Sequence, residues 1–213
     1  MKETQPQFET KSAFVAIVGR PNVGKSSLLN ALVGEKVAIV SSKPQTTRTR
    51  ITGVLTDGDT QLVFIDTPGL HKPRTKLSEY MVRQVGDSVA DVDVAVLVVE
   101  PGDVIQKAEQ SLIDSFTAQR IPAVLVINKI DTLAEKEKLM AQIALFMRAY
   151  AFEAVVPVSA LHGDGVGNVL SELRHFAVLS PFFFDADTLT DQPERVIVAE
   201  IVREKLLRSL FDE

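Results

Sequence analysis

The stretch "GRPNVGKSS" (19–27) constrains the fold of this chain more than any other. It follows the apolar run "AFVAIV" (13–18) and opens a helical pattern at 25–33, so it joins a buried strand to a helix. It fits the pattern G-x-x-x-x-G-K-[ST], whose glycines let backbone N–H groups turn toward phosphate oxygens. The matching residues are Gly19, Gly24, Lys25 and Ser26. The motif in this context predicts a phosphate-binding loop.

Each part of the loop has an expected role. Lys25 supplies a compact positive charge to the β- and γ-phosphates, and Ser26 supplies a hydroxyl to Mg²⁺. The helix that follows adds positive potential at its N-terminus. The residues predicted to contact the nucleotide here are Gly19, Arg20, Pro21, Asn22, Val23, Gly24, Lys25, Ser26 and Ser27.

Short β-branched runs alternate with amphipathic stretches along the chain. The runs are 13–18, 51–56, 62–66, 94–99, 123–128 and 154–158, and the helical candidates are 25–33, 77–90, 107–119, 135–149 and 166–176. Several runs are apolar on both faces, which is typical of strands buried in a parallel sheet. The alternation predicts an α/β fold, a six-stranded doubly wound sheet flanked by helices.

One connection breaks the parallel pattern. Only "DGDTQ" separates the second run from the third, which is too short for a crossover. The two runs should form an antiparallel hairpin with Asp57 and Gly58 at the turn. The sheet is therefore expected to be mostly parallel with one antiparallel strand.

The sequence "DTPG" (66–69) ends the third run. Asp66 suits the carboxylate that holds Mg²⁺, and Gly69, which lacks Cβ, can bring its N–H close to a γ-phosphate. The loop "QTTRTR" (45–50) lies where a phosphate-responsive loop belongs. Thr47 is the expected second hydroxyl ligand of Mg²⁺, and Thr46 is the alternative. Lys25, Thr47 and Gly69 are the expected catalytic groups.

The sequence "NKID" (128–131) predicts a guanine site. The Asp131 carboxylate accepts from both N1–H and N2–H₂ of guanine, whereas adenine turns a lone pair toward it. Asn128 can hydrogen-bond the purine N7 and neighbouring loops, and the Lys129 stem can lie over the ring. The "SAL" segment that ends the sixth run completes the expected site with Ser159, Ala160 and Leu161.

Composition limits the other function classes. The chain of 213 residues has no cysteine, which excludes disulfides and thiolate chemistry, and its net charge of −5 argues against strong nucleic-acid binding by this stretch itself. No apolar run approaches the roughly 18 residues of a membrane helix, and the N-terminus lacks a signal core. A cytoplasmic location without a transmembrane segment is expected.

Taken together, these motifs resemble the translation-factor-related GTPases, specifically the Era-type bacterial ribosome-assembly GTPases. The residues that carry the resemblance are "GRPNVGKSSLLNALVGEKVAIVSSKPQTTRTRI", "DTPGLHKP", "NKID", "VSAL" and "PERVIVAEIVREKLLR". The resemblance implies that the α/β sheet is a P-loop GTPase fold with GTP and GDP as ligands. It also implies a C-terminal KH domain that binds small-subunit ribosomal RNA, and peripheral association with the inner membrane.

The resemblance also implies a domain organisation. The expected parts are an N-terminal tail (1–12), a GTPase domain (13–179), a linker (180–194) and the opening helix of a truncated RNA-binding domain (195–213). The tail contains no "GxxG" RNA-clamping loop, so RNA binding by this stretch is expected to be weak.

Leu70 stands where many such enzymes place a water-orienting glutamine. Its side chain can neither donate nor accept a hydrogen bond. Asn22, inside the phosphate loop, is the candidate ligand for a K⁺ ion that stabilises charge beside the phosphates. Arg48 acting in cis is the alternative. A nucleotide-gated binding module with negligible hydrolysis is the alternative function.

Overall fold

A central, mostly parallel sheet organises the chain. The computed structural model describes residues 9–38, 51–66, 92–133 and 136–209. The strands are β1 (Lys11–Gly19), β2 (Ile51–Asp57), β3 (Thr60–Asp66), β4 (Val94–Val99), β5 (Ala123–Ile127), β6 (Ala154–Pro157) and β7 (Val178–Leu179). The helices are α1 (Lys25–Val33), α2 (Lys107–Gln119), α3 (Lys136–Ala149), α4 (Val166–Arg174) and α5 (Glu194–Ser209). The helix predicted at 77–90 lies outside the described residues.

The strand order is β2-β3-β1-β4-β5-β6, and β7 pairs with the start of β1. All pairings along this order are parallel except that between β2 and β3. Those two form the predicted hairpin, in which Asp57 pairs with Thr60 and Gly58 has a φ of 62°. The predicted α/β fold is confirmed. The two-residue β7, which is exposed and antiparallel to β1, was not predicted.

The side chains of each strand point alternately to the two faces of the sheet, so the core has two layers. In β1, Val15 and Ile17 face a cluster that includes Leu28 and Leu32 of α1, together with residues of α4. Their neighbour Ala16 faces the opposite cluster, with residues of α2 and α3. Because successive strand residues point to opposite faces, both faces of these strands must be apolar. This explains the continuous apolar runs in the sequence.

Residues 178–192, here called the C-terminal strap, lie along one end and one edge of the sheet. The buried side chain of Gln61 in β3 accepts from the backbone N–H of Phe183 and of Phe184, and it donates to the Phe184 carbonyl. The centroid of the Phe183 ring lies 4.7 Å from that of the Phe14 ring.

The strap also contacts the outer edge of β2, where Val54 N–H donates to the Leu189 carbonyl. The predicted linker therefore packs against the sheet.

Helix α5 follows the strap. It begins at Glu194, close to the predicted start, and its described part ends at Ser209. Val198 and Val202 are more than half exposed. Within the described residues, no helix combines the length and hydropathy that crossing a membrane requires.

Candidate nucleotide site

The candidate site lies at the carboxyl ends of β1, β4 and β5. After β1 the chain builds β2 and β3 on one side of that strand, and it then returns to place β4 on the other side. Such a reversal leaves a crevice between loops that leave the sheet in opposite directions, which is where α/β proteins bind ligands. The predicted phosphate loop and the "NKID" segment both open onto this edge.

The phosphate loop has the backbone that its glycines allow. Gly19 has a φ of 152°, and a Cβ there would lie 2.3 Å from the Val98 carbonyl oxygen of β4. Gly24 has a φ of 95°, and a Cβ there would lie 2.2 Å from the side-chain nitrogen of Asn128. Only glycine fits either position without displacing a neighbour. Asn22, between these two glycines, also has a left-handed backbone conformation, with a φ of 64°.

Helix α1 begins at Lys25, directly after Gly24, and the N-terminus of a helix carries positive potential. No acidic residue occupies this first turn. The Lys25 side chain is buried and donates to the carbonyl oxygens of Gly19 (3.2 Å) and Arg20 (2.9 Å). The loop is thereby folded around its own lysine. A helix N-terminus beside one cation is suited to an anion.

Asn128 connects the phosphate loop to the "SAL" segment. Its side-chain nitrogen donates to the Val23 carbonyl (2.8 Å), and its side-chain oxygen accepts from Ala160 N–H (3.0 Å). The side chain is 2% exposed. Asn128 therefore binds two neighbouring loops, as predicted, through one bond from its nitrogen and one to its oxygen.

Asp131 is exposed in the 3-10 turn Ile130–Thr132. The buried hydroxyl of Ser159 donates to its Oδ1 at 2.5 Å. This hydrogen bond, above all, lowers the pKa of the Asp131 carboxyl below its usual value of 3.8. The group is therefore an ionised acceptor at neutral pH. Leu161, two residues after Ser159, is exposed.

A charge network that the sequence analysis missed lies beside these residues. Lys129 Nζ donates to the Asn22 carbonyl (2.7 Å) and to Oε1 of Glu100, the residue after β4. Arg20 Nε donates to Glu109 Oε1 at 2.6 Å, and Glu109 is only 2% exposed. Two sequence signals could have pointed to these carboxylates. Glu100 follows a buried strand, and Glu109 is the third residue of a helix that starts with a capping box.

Several predicted groups fall on residues that the structure does not describe. Thr46, Thr47, Arg48, Gly69 and Leu70 all lie outside the described ranges. The backbone of Asp66 ends β3, and its Cα pairs with that of Ile17 in β1. Asp66 is thus brought to the same sheet edge as the phosphate loop.

Comparison with known proteins agrees with this geometry. Residues 14–129 match the family model described as "50S ribosome-binding GTPase". The GTPase Era of Ruminiclostridium cellulolyticum is 46% identical over 203 residues, which cover 95% of this chain and 68% of that relative.

Two solved Era structures are similar in fold. One is an Aquifex aeolicus Era variant bound to GDP and aluminium fluoride, and the other is Era in complex with MgGDPNP and nucleotides 1506–1542 of 16S ribosomal RNA. Each gives a TM-score of 0.86 at 34% identity, over 92% of this chain and 67% of the solved one. The chain belongs to the Era family of GTPases, enzymes that convert GTP and water into GDP and phosphate.

Proposed function

We propose that the crevice binds GTP and GDP, with Asn128 as the residue that joins its two halves. The supporting observation is that one buried amide bonds both the phosphate loop and the Ala160 backbone. A ligand that spans both halves would have its phosphates at the loop and its base near Ser159, Ala160 and Leu161. This arrangement suits a nucleotide better than an isolated phosphate ion.

In this proposal Asp131 selects guanine. Its ionised carboxylate accepts from N1–H and from the exocyclic amino group, the two adjacent donors of that base. Ser159 holds the carboxylate through one oxygen, Oδ1. The Lys129 stem covers one face of the ring. Adenine lacks this pair of donors and is rejected.

The phosphates are proposed to lie on the loop formed by residues 19–27, with Lys25 exchanging its carbonyl acceptors for phosphate oxygens. Ser26, Thr47 and Asp66 would hold Mg²⁺. Their hydroxyl and carboxylate oxygens are the donors that this ion prefers, and Ser26 and the end of β3 share one sheet edge. The bound ion neutralises charge on the β- and γ-phosphates. Gly69 is proposed to offer its N–H to the γ-phosphate.

Water activation has to proceed without a side chain at position 70 that can hydrogen-bond. We propose that Asn22 takes part in binding K⁺ beside the phosphates, which would supply positive charge where it develops during transfer. The support is local: Asn22 is exposed within the loop, and its left-handed backbone is held by Lys129. Arg48 in cis remains the alternative source of charge.

The biological partner is proposed to be the small ribosomal subunit and its RNA, as in the Era complex with 16S ribosomal RNA. The net charge of −5 indicates that residues outside this stretch contribute most of the RNA affinity.

The domain boundaries stay a proposal: GTPase domain 13–179, linker 180–194 and the opening helix of an RNA-binding domain at 195–213. Cytoplasmic location and inner-membrane association also stay predictions.

Single-turnover hydrolysis in matched K⁺ and Na⁺ salts tests the cation proposal. We expect faster hydrolysis in K⁺, and we expect Asn22→Ala to remove the difference between the salts while GTP still binds. Asn168→Ala, on an exposed position of α4, is the control. Equal rates in both salts with a large loss in Arg48→Ala would assign the charge to Arg48 instead. GTP binding with no turnover in either salt would favour a nucleotide-gated binding module.

A further inference from the structure

Glu100 lies between two cations at the carboxyl end of β4. Its Oε1 accepts from Lys129 Nζ, and its Oε2 lies 3.8 Å from a terminal nitrogen of Arg20. All three side chains are between 30% and 40% exposed, so their charges are partly shielded from water. One carboxylate thus attracts both a lysine and an arginine, the lysine at the shorter distance.

The two cations belong to different halves of the nucleotide site. Arg20 is part of the phosphate loop, where its carbonyl accepts from Lys25. Lys129 belongs to the base segment, and its Nζ also donates to the Asn22 carbonyl of the phosphate loop. Glu100 therefore completes a connection between the halves that is separate from the one made by Asn128.

Neighbouring groups hold the members of this connection in place. The buried Gln142 of α3 donates to the Glu100 carbonyl (2.8 Å) and accepts from Gly102 N–H (3.2 Å). Arg20 is held by Glu109, whose other oxygen accepts from Gln106 N–H at the start of α2. The backbone at Glu100 is thus fixed by hydrogen bonds to Gln142.

We propose that Glu100 is a positioning residue for nucleotide retention. It holds Lys129 against the phosphate loop, so that the lysine stem is already placed when a guanine nucleotide enters. This inference rests on the proposed placement of the base beside Lys129. Its consequence is kinetic: without Glu100, bound GDP leaves faster.

A double-mutant cycle with Lys129 tests this role. The dissociation rate of a fluorescent GDP analogue is measured by stopped flow, in Mg²⁺, for the wild type, Glu100→Gln, Lys129→Met and the double variant. We expect Glu100→Gln to dissociate the analogue about tenfold faster, and the double variant to be no faster than Lys129→Met, because contacting residues couple strongly. Additive effects in the double variant, or an unchanged rate in Glu100→Gln, would overturn the proposal.

Asp57→Asn is the matched control, since it removes a carboxylate from the exposed ion pair with Arg174, away from the site. Its dissociation rate should equal that of the wild type. If Glu100→Gln does not fold, Glu100→Asp keeps the charge but shortens its reach; it should still accelerate dissociation and lose that effect when combined with Lys129→Met. Additivity in that pair would again contradict the proposal.

Failure of this inference can be told from failure of the proposed guanine site. If Asp131→Asn shifts preference from guanosine to xanthosine nucleotides while Glu100→Gln retains GDP normally, only the role of Glu100 is wrong. If Asp131→Asn causes no such shift, the placement of the base is wrong, and the inference about Glu100 falls with it.

Discussion

The side-chain nitrogen of Asn128 lies 2.8 Å from the carbonyl oxygen of Val23, across the crevice between two loops more than 100 residues apart in sequence. Gly24, the residue after Val23, leaves room for this contact, because a Cβ there would lie 2.2 Å from the Asn128 nitrogen. The first residue of the "NKID" sequence thus also contacts the phosphate loop.

Replacing Asn128 with Asp should therefore weaken both folding and nucleotide binding. A carboxylate cannot donate to Val23, so a buried carbonyl loses its partner and meets another acceptor. We expect a loss of about 1–3 kcal/mol in the free energy of unfolding without nucleotide, measured in urea. Asn168→Asp, on an exposed position of α4, should change it by no more than about 0.5 kcal/mol. An unchanged unfolding free energy in Asn128→Asp would contradict the structural role.

Ser159→Ala should raise the pKa of Asp131. The Ser159 hydroxyl is the main group that lowers this pKa below 3.8, and alanine cannot donate the hydrogen bond. Because the depressed pKa belongs to the folded state, its contribution to stability is present above the ordinary value and is lost as the pH falls through the folded value. An NMR titration of the Asp131 carboxyl should show its midpoint below 3.8 in the wild type and higher in the variant. Equal midpoints would assign the shift to other groups.

Asp131→Asn should change base preference. Xanthine carries a carbonyl where guanine carries its amino group, and the asparagine amide can donate to that carbonyl. The lost pair of charged hydrogen bonds should cost guanine nucleotides roughly 2–5 kcal/mol of binding free energy. Competition binding with GDP and xanthosine diphosphate measures both affinities. A variant that binds GDP as tightly as the wild type would sink the assignment of guanine recognition to Asp131.

Gln61→Ala should detach part of the C-terminal strap. Alanine is smaller than the buried glutamine, and it cannot pair with the N–H groups of Phe183 and Phe184 or with the Phe184 carbonyl. We expect a loss of at least about 2 kcal/mol of unfolding free energy, and faster hydrogen exchange at those two amides. Gln119→Ala, on an exposed position near the end of α2, is the control. Unchanged exchange would show that the strap is held by other contacts.

Much of the fold could be predicted because burial leaves a strong periodic signal. The predicted run at 94–99 has the same bounds as β4, because all side chains of this strand are buried and apolar. The hairpin was predicted from the length of one connection. The nearness of Asn128 and Ala160 followed from placing two motifs at neighbouring strand ends, and in the structure the two residues share a hydrogen bond.

The missed features depend on contacts between distant residues. Nothing in "TQLVF" indicates that Gln61 binds backbone more than 120 positions away, because a polar residue in a strand usually faces solvent. Glu100 and Glu109 likewise belong to separate segments and meet through Arg20 only in the folded chain. The exposed pair Val178 and Leu179 forms β7 without any alternating pattern.

The strap also determines when the sheet can be completed during synthesis. The partners of Gln61, and the carbonyl that accepts from Val54 at the edge of β2, occur between residues 183 and 189. A ribosome makes them after all six main strands, so until then Gln61 lacks its partners in the strap and the edge of β2 is unpaired. Unpaired edges promote aggregation of folding intermediates. The interval in which this nascent chain is vulnerable therefore extends until about residue 190 has left the exit tunnel.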